Sequence, residues 1–359
     1  MTSRRSAALL AGCAAWALVA GAGCGSWQGI RSPAQLRAEL APRLHALPAV
    51  EIVVPHEVDA DAIERAREVV GGHATISQRA QVLFDAIFAD GVFGMRYTPI
   101  VTIPAGEALE RHEGNCLTLA SIFVGLARGV GLSAYYLDAS KRVGEVDTEE
   151  EVIVHMGHIT AAVESERGTL AMDFGWDLPR GDYYRRLDDD EAVAHFYNNR
   201  GYERLDQSIR AGTELDWSGA ALDFAIATEI RPDFARGWNN LGIANARLGR
   251  RLDAIHDYRR AAELDADFAA PRTNLGVLAL REGRTAEALA AFDSAVAIEP
   301  KNARAHFHRG VALTRLARPG EAIAAFDRAL AIDPTFARAA VMRERTRADL
   351  AGASAPAAR

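Results

Sequence analysis

The C-terminal half of the chain repeats a pattern every 34 residues, and this period constrains the fold more than any other feature. A unit of this length cannot bury its hydrophobic face alone, so successive units stack into a solenoid with a continuous core. We expect the small residues where the two helices of a unit approach closely, and the aromatic residue in the gap between neighbouring units. The residues in register are Gly242, Gly276 and Gly310; Ala254, Ala288 and Ala322; Tyr258, Phe292 and Phe326; and Ala261, Ala295 and Ala329.

This pattern resembles the tetratricopeptide repeat (TPR), in which each unit is a pair of helices. Pro300 and Pro334 close two units. The resemblance implies an all-α TPR solenoid over residues 196–351, with a capping helix near its C-terminal end and a disordered tail over 352–359. One further unit upstream is indicated by Ala220, Phe224, Ala227 and Pro232.

The same resemblance implies a concave surface that binds a peptide or protein ligand. Polar residues on the first helices of the units are the candidates to line this surface. The alternative is that they are ordinary solvated polar residues. The candidates are Arg236, Asn239, Asn240, Arg272 and Asn274.

The composition of the 359-residue chain is that of a globular protein, with 49% apolar and 25% charged residues. The net charge is −7, and the 41 basic residues are scattered rather than gathered into a stripe. This distribution argues against a nucleic-acid partner. No His, Cys and Asp cluster has metal-ligand spacing, so we expect neither a metal nor a cofactor.

The N-terminus has the pattern of an export signal, because Arg4 and Arg5 precede an apolar run that ends at Cys24. The run resembles a bacterial lipoprotein signal, in which the cysteine after the cleavage point receives lipid. We therefore predict a signal peptide over 1–23, lipidation of Cys24 and a tether over 24–50. The protein is then expected in the bacterial cell envelope, lipid-anchored and facing the periplasm. Cys13 is the competing lipid site, and an ordinary cleaved signal or an uncleaved N-terminal helix is the alternative.

A single cysteine, Cys116, stands where an apolar helix is predicted to begin. Asn115 before it is a suitable N-cap. The unpaired N–H groups and the dipole at a helix N-terminus favour the thiolate. A buried, inert cysteine is the alternative. Cleavage before Cys24 together with lipidation of that residue would leave Cys116 as the only free thiol, which favours a reactive role.

Two β-rich runs, EVIVHMGHITAAVE and TLAMDFGW, are predicted to form a hairpin across a four-residue loop. When Glu164 pairs with Thr169, His158 and Asp173 project from the same face within reach of a diagonal contact. His155 has the opposite parity and projects from the other face unless a bulge intervenes.

Three ordered segments resemble the transglutaminase-like superfamily: a cysteine segment, a histidine strand and an aspartate strand. The resemblance spans roughly residues 75–180 and implies an α+β transglutaminase-like (papain-like) domain, which we place at 51–190. The sequence departs from the cross-linking enzymes at Leu117, Thr160 and Phe174, so cross-linking is not implied. The matching residues are Gly114, Cys116, Ala120, Leu126, Arg128, Gly131, Leu132, Ala134, His158, Val163 and Asp173.

This resemblance implies papain-like acyl transfer. Cys116 attacks a carbonyl as the thiolate, His158 takes and returns the proton, and Asp173 orients the imidazole. The Cys116 backbone N–H would be one oxyanion donor. The candidates for the second donor are Asn115, Tyr97 and Arg111.

The leading hypothesis is an exported lipoprotein with a thiol acyl-transfer site, which hydrolyses an amide or peptide bond in a ligand recruited by the TPR module. The alternative is a catalytically inactive TPR scaffold in cell-envelope assembly. The expected partners are a peptide or protein in the TPR groove and the membrane through the lipid anchor, with no nucleic acid.

Overall fold

The computed structural model describes residues 18–19, 30–99, 101–139, 147–148, 152–153, 159–172, 174 and 184–354. In chain order the elements are β1 (Leu18–Val19), α1 (Pro33–Leu40), a 3-10 helix (Ala41–Leu44), α2 (Ala60–Val70), α3 (Ile76–Phe88), β2 (Arg96–Tyr97), α4 (Ala105–Arg111), β3 (Glu113–Gly114), α5 (Cys116–Gly129), β4 (Ala134–Asp138), β5 (Asp147–Thr148), β6 (Val152–Ile153), β7 (Ile159–Ser165), β8 (Gly168–Met172), β9 (Arg185–Leu187), α6 (Asp189–Ala211), α7 (Trp217–Ile230), α8 (Ala235–Arg247), α9 (Arg251–Leu264), α10 (Ala269–Arg281), α11 (Thr285–Ile298), α12 (Ala303–Arg315), α13 (Pro319–Ile332) and α14 (Ala337–Ser354).

The chain divides into two compact units. The first comprises Met1–Gly144 and Met156–Gln207, and the second comprises Glu145–His155 and Ser208–Arg359. This division lies later than residue 196, where we predicted the solenoid to begin. The reason is that α6 continues without a break across that position, and most of it belongs to the first unit.

The first unit contains a five-stranded sheet with the strand order β1-β8-β7-β4-β9. Every pairing in it is antiparallel. β7 and β8 form the predicted hairpin, and Glu164 pairs with Thr169 as expected. The loop is shorter than predicted, because Ser165 also pairs with Gly168 and leaves 166–167 in the turn. Gly168 has a φ of 99°, a conformation that favours glycine.

The helix α5 packs against β4 and β7. Every residue of α5 from Cys116 to Ala127 is buried, so the helix is enclosed by protein around its circumference. Gly125 allows the backbone at His56 to pass close to α5, because a Cβ at position 125 would collide with the carbonyl of His56. The helix that begins at Cys116 is therefore held on several sides by the first unit.

Part of the segment predicted as a tether is folded into the first unit. Leu36 and Leu40 of α1 are completely buried. The helix begins with a capping box in which the Ser32 hydroxyl accepts the N–H of Gln35. Residues 33–44 therefore belong to the folded unit, contrary to the tether that we predicted over 24–50.

The N-terminal predictions fall largely outside the described residues, and both candidate lipid sites, Cys24 and Cys13, lie there. β1 lies within the predicted signal peptide and pairs with β8, so cleavage after residue 23 would leave β8 at the sheet edge. In the described part of the chain, no helix has the length and apolar character needed to cross a membrane.

The second unit contains the helix pairs α8/α9, α10/α11 and α12/α13, preceded by α7 and followed by α14. A Cβ placed at Gly310 would lie 2.5 Å from the ring of Phe326, which confirms that glycine marks the close approach of two helices. The Phe326 ring therefore packs against the other helix of its own unit, whereas we expected the aromatic residue only in the gap between units. Phe292 additionally stacks on His308 of the next unit, with 5.5 Å between the ring centroids. The helix α14 contains the predicted capping helix and extends to Ser354, into the predicted tail.

Candidate functional site

Cys116 is the first residue of α5, as the sequence predicts. Asn115 caps the helix, and its Oδ1 accepts the N–H of Thr118 at 3.0 Å. The backbone N–H groups of Ile159, Leu117 and Cys116 itself lie near the sulfur and lower the pKa of the thiol. The thiol therefore lies between the start of α5 and the start of β7.

Burial decides the ionisation of Cys116. The residue is only 8% exposed, and this burial raises the pKa of Cys116 because the thiolate is poorly solvated there. The N–H groups around the sulfur lower the pKa, but by less than burial raises it. The N–H groups at the start of α5 therefore act in the direction that we expected, and burial outweighs them.

The structure describes the chain neighbours of the other two triad residues, not those residues themselves. β7 begins at Ile159, whose N–H contacts the Cys116 sulfur. β8 pairs with β7 and ends at Met172. His158 and Asp173 lie outside the described part of the chain, and so does the alternative histidine, His155. The triad thus stays a prediction.

The candidates for the second oxyanion donor occupy different environments. Asn115 is 3% exposed, and its side-chain amide donates to Thr102 Oγ1 at 2.7 Å. Tyr97 lies on β2 and is 36% exposed. Arg111 pairs with Glu107 one helical turn away at 2.5 Å. The amide of Asn115 is thus engaged in holding the helix start, and all three assignments stay predictions.

A hydrogen-bond network that the sequence did not indicate fixes the chain segment beside the start of α5. A carboxylate oxygen of Glu203 accepts the N–H of Thr102 at 2.6 Å. Thr118 Oγ1 donates to the Val101 carbonyl at 3.0 Å. Burial raises the pKa of Glu203. The 101 positions between Thr102 and Glu203 explain why no local motif indicated this contact.

A buried ionic cluster lies at the other end of α5. Arg128 donates to both carboxylate oxygens of Asp189, at 2.8 and 3.1 Å. Asp190 pairs with Arg31 at 2.7 Å and with Arg43 at 2.8 Å. Burial alone would raise the pKa of Asp189, but the hydrogen bonds and charge of Arg128 hold it below its ordinary value. The cluster joins α5, α6 and the N-terminal segment of the unit.

The residues predicted to line the TPR groove are largely engaged within the solenoid. Asn239 and Asn240 are completely buried, and Asn274 is 6% exposed. The Asn274 amide donates to Asn239 at 2.9 Å, and the Asn239 amide donates to Asn240 at 3.3 Å. Arg272 donates to two backbone carbonyls, and Arg236 is half-buried. The asparagines therefore connect α8 to α10 and are not exposed to a ligand.

A groove of about 470 Å³ lies between α10, α12 and α14, and we call it the C-terminal groove. Most of its lining is apolar. Val341 on α14 is 67% exposed. The groove is lined from α10 and α12, the first helices of their units, and from α14, but none of the residues predicted for the ligand surface lines it. The apolar lining consists of Val277, Leu280, Phe307, Val311, Ala337, Val341 and Met342, and the polar lining consists of Arg281, His308, Arg315 and Arg338.

Metal chemistry has no candidate site within the described ranges. No group of three or more His, Cys, Asp or Glu side chains there is arranged to hold a metal ion.

Comparison with known proteins identifies the repeats. The family model of the tetratricopeptide repeat matches residues 246–302 and 273–335. Comparison with curated protein sequences found no match. Similar solved structures include pilF of Pseudomonas aeruginosa (18% identity, 46% of this chain and 72% of that chain, TM-score 0.41) and MamA from Desulfovibrio magneticus RS-1 (20% identity, 44% and 84%, TM-score 0.37). The TPR domain of Arabidopsis OM64 is 27% identical over 32% of this chain and 95% of that chain, with a TM-score of 0.31. Residues 246–335 of this chain are therefore tetratricopeptide repeats, as the family model and the regular helix pairs both indicate.

Proposed function

We propose that this is an exported protein whose TPR solenoid binds a peptide or protein segment. The observation that carries this proposal is the C-terminal groove, an apolar depression with the exposed Val341 on one wall. Concave sites lined mostly by apolar side chains with a few polar groups are the usual candidates for ligand binding. Repeat solenoids also present extended surfaces to their partners.

The test is site-specific photo-crosslinking in the full chain, produced in its own host. A photo-reactive amino acid in place of Val341 should form a covalent adduct with another polypeptide, which mass spectrometry then identifies. Leu252 on α9 is the matched control, since it is 74% exposed and lies away from the groove lining. Equal adducts at both positions, or none at Val341, would contradict the proposal.

A second candidate function is thiol acyl transfer by Cys116 in a transglutaminase-like domain. The observation that favours it is that the backbone N–H of Ile159 acts on the Cys116 thiol and lowers its pKa, because Ile159 directly follows His158 in the chain. In this mechanism the sulfur bonds to the substrate carbonyl carbon as His158 takes the thiol proton. The amide bond then breaks, its nitrogen receives that proton, and water hydrolyses the thioester. Asp173 would stabilise the imidazolium.

Because burial raises the pKa of Cys116, acyl transfer would depend strongly on His158 to take the proton of the thiol. We expect alkylation of Cys116 in the folded protein to report a thiol pKa that rises when His158→Ala removes the ion-pair partner. His155→Ala is the matched control and should leave the alkylation profile unchanged. A thiol that stays unreactive in all three proteins would instead support the inactive scaffold in cell-envelope assembly.

We further propose export through a signal peptide over 1–23 and a lipid anchor on Cys24, which would place the protein at the periplasmic face of a bacterial membrane. The intact mass of the mature protein tests this directly. A lipid mass that is lost in Cys24→Ser and retained in Cys13→Ser supports the proposal. An unmodified N-terminus beyond residue 24 contradicts it.

A further inference from the structure

Glu203 on α6 is a buried carboxylate that ligand binding and acyl transfer leave without a role. It is 6% exposed, and both of its oxygens accept hydrogen bonds from uncharged donors. Oε2 accepts the backbone N–H of Thr102 at 2.6 Å, and Oε1 accepts the side-chain amide of Gln207 at 2.9 Å. An apolar side chain would fill the same space without the cost of burying a charge. The groups that Glu203 fixes therefore explain its presence better than packing does.

Thr102 connects Glu203 to the residue before Cys116. Its Oγ1 accepts the side-chain amide of Asn115 at 2.7 Å. The Oδ1 of the same asparagine accepts the N–H of Thr118 at 3.0 Å and caps α5. Thr102 and Asn115 are each 3% exposed, and Thr118 is 1% exposed. Consecutive buried hydrogen bonds thus join Glu203 to the first turn of α5, and we call this series of four residues the Glu203 relay.

The chain segment 101–103 lies along the first turn of α5. The Val101 carbonyl accepts the N–H of Asn115 at 3.0 Å and the hydroxyl of Thr118 at 3.0 Å. Cys116 stands between these two anchored residues and is itself buried. The segment therefore helps to keep water from the thiol, and burial is what raises the pKa of Cys116.

The helix α6 is connected to both ends of α5. Near the start of α6, Asp189 accepts two hydrogen bonds from Arg128 in the last turn of α5. Further along α6, Glu203 reaches the first turn of α5 through Thr102 and Asn115. The stretch of α6 from 189 to 203 and the stretch of α5 from 115 to 128 are each about 20 Å long. One helix thus constrains both ends of the other.

We infer that Glu203 is a positioning residue for Cys116, because it holds segment 101–103 against the first turn of α5 and so keeps the thiol fixed and shielded from water. This inference rests on the proposed acyl transfer by Cys116. It adds a residue that acts through Thr102 and Asn115 rather than on the substrate.

The chemistry of the relay distinguishes two substitutions of Glu203. In Glu203→Gln the side-chain carbonyl still accepts the Thr102 N–H, and the Gln207 amide can turn to present its own oxygen to the new amide. In Glu203→Ala the buried Thr102 N–H has lost its acceptor, so segment 101–103 should loosen.

The test is the pH dependence of alkylation of Cys116 by iodoacetamide in the purified full chain. Mass spectrometry follows the peptide that contains Cys116, because the chain has 3 cysteines. In Glu203→Ala we expect the thiol pKa to fall and alkylation at pH 7 to be about tenfold faster, since water reaches the sulfur. Glu203→Gln should stay within about twofold of the wild type, because it keeps an acceptor for the Thr102 N–H.

Glu191→Ala is the matched control on the same helix. Glu191 binds Arg185 at 2.5 Å and accepts the N–H of Asp188 at 3.1 Å, so its loss weakens the start of α6 without touching the relay. Alkylation of Cys116 should then be unchanged. Peptide-resolved hydrogen exchange should become faster at 101–103 and 115–118 in Glu203→Ala only. Equal effects of the two alanine variants would show general destabilisation and overturn the inference.

Thr102→Val tests the middle of the relay. It removes the acceptor for the Asn115 amide and keeps the backbone N–H that binds Glu203. We expect faster alkylation of Cys116 here as well. The double variant Thr102→Val/Glu203→Ala should react no faster than Glu203→Ala, because both changes act through one series of bonds. Effects that multiply would mean that the two residues act independently, which contradicts the relay.

The outcomes separate this inference from the proposed acyl transfer. Unchanged or slower alkylation in Glu203→Ala overturns the positioning role and leaves acyl transfer standing. An unchanged thiol pKa in His158→Ala contradicts acyl transfer, and faster alkylation in Glu203→Ala would still support the positioning role. If circular dichroism shows that Glu203→Ala does not fold, Thr102→Val decides by the same measurements.

Discussion

Arg128 and Asp189 form a two-bond ion pair that connects the last turn of α5 to the first turn of α6, with N–O distances of 2.8 and 3.1 Å. The two side chains are only 11% and 8% exposed. Arg128 Nε also donates to the Ala134 carbonyl at 2.9 Å, which extends the contact to β4. The helix that carries Cys116 at its start is thus secured at its end by a buried charge pair.

Removing one member of this pair should destabilise the protein strongly. Arg128→Met leaves the Asp189 carboxylate buried without its main partner, and we expect a loss of about 3–5 kcal/mol in the free energy of unfolding. Arg67→Met is the control, because Arg67 and Glu64 form an exposed pair whose loss should cost less than about 1 kcal/mol. Urea denaturation of both variants measures the difference, and equal losses would show that the buried pair has no special role.

Acid should destabilise the first unit in two separate pH ranges. Burial and the neighbouring Arg128 charge lower the pKa of His56 to about 4. The unfolded chain, with an ordinary histidine pKa near 6.5, then binds the proton more readily than the folded state. Stability is therefore fully present above pH 6.5 and falls by about 3 kcal/mol as the pH drops to 4. The pKa of Asp189 is also lowered, so its contribution is lost at lower pH, below about 3.8.

The measurement is the free energy of unfolding from urea denaturation as a function of pH. His56→Phe should flatten the curve between pH 6.5 and 4, because the titrating group is gone. The fall below pH 4 should persist in this variant, since Asp189 remains. A wild-type curve that is flat from pH 6.5 to 4 would show that His56 does not titrate as its burial implies.

The close helix contacts of the repeats should not tolerate a methyl group. In Gly310→Ala the new Cβ would lie 2.5 Å from the Phe326 ring, so we expect a loss of about 1–3 kcal/mol from overpacking. Gly320→Ala in α13 is the control, since nothing lies within 4 Å of its Cβ. That variant should be neutral or more stable by up to about 1 kcal/mol, because alanine favours the helix. Thermal denaturation of the two variants tests the prediction, and a stabilising Gly310→Ala would refute it.

The N-cap of α5, Asn115, should contribute more to the free energy of unfolding than an exposed N-cap such as Asp59. Asn115→Ala removes the acceptor for Thr118 N–H and leaves the Thr102 hydroxyl without its donor, so the loss should be about 2 kcal/mol or more. Asp59→Ala removes the N-cap of α2, whose surroundings are partly exposed, and should cost about 1 kcal/mol. Chemical denaturation compares the two, and a smaller loss for Asn115→Ala would contradict the role assigned to its buried amide.

Local patterns predicted several parts of this fold correctly. The glycine and aromatic positions of the repeats, the start of α5 at Cys116 and the pairing of Glu164 with Thr169 all follow from short-range rules. Such rules work because helix capping, close helix approach and strand parity depend on residues near one another in the chain or repeated at a fixed spacing. They do not report how much water reaches a side chain, so they did not show that burial outweighs the N–H groups around Cys116 and raises its pKa.

The sequence by itself determined the repeat architecture, the helix with a cysteine at its start and the register of the hairpin. Only the tertiary structure decided the burial of Cys116, the pairing of Arg128 with Asp189 and the location of the C-terminal groove. Each of these depends on segments far apart in the chain, 61 positions in the case of Arg128 and Asp189. The solenoid shows the same division, because the repeat pattern suggested Asn239 and Asn274 as ligand contacts. Packing between α8 and α10 buries both asparagines, whereas Val341 on α14 is exposed.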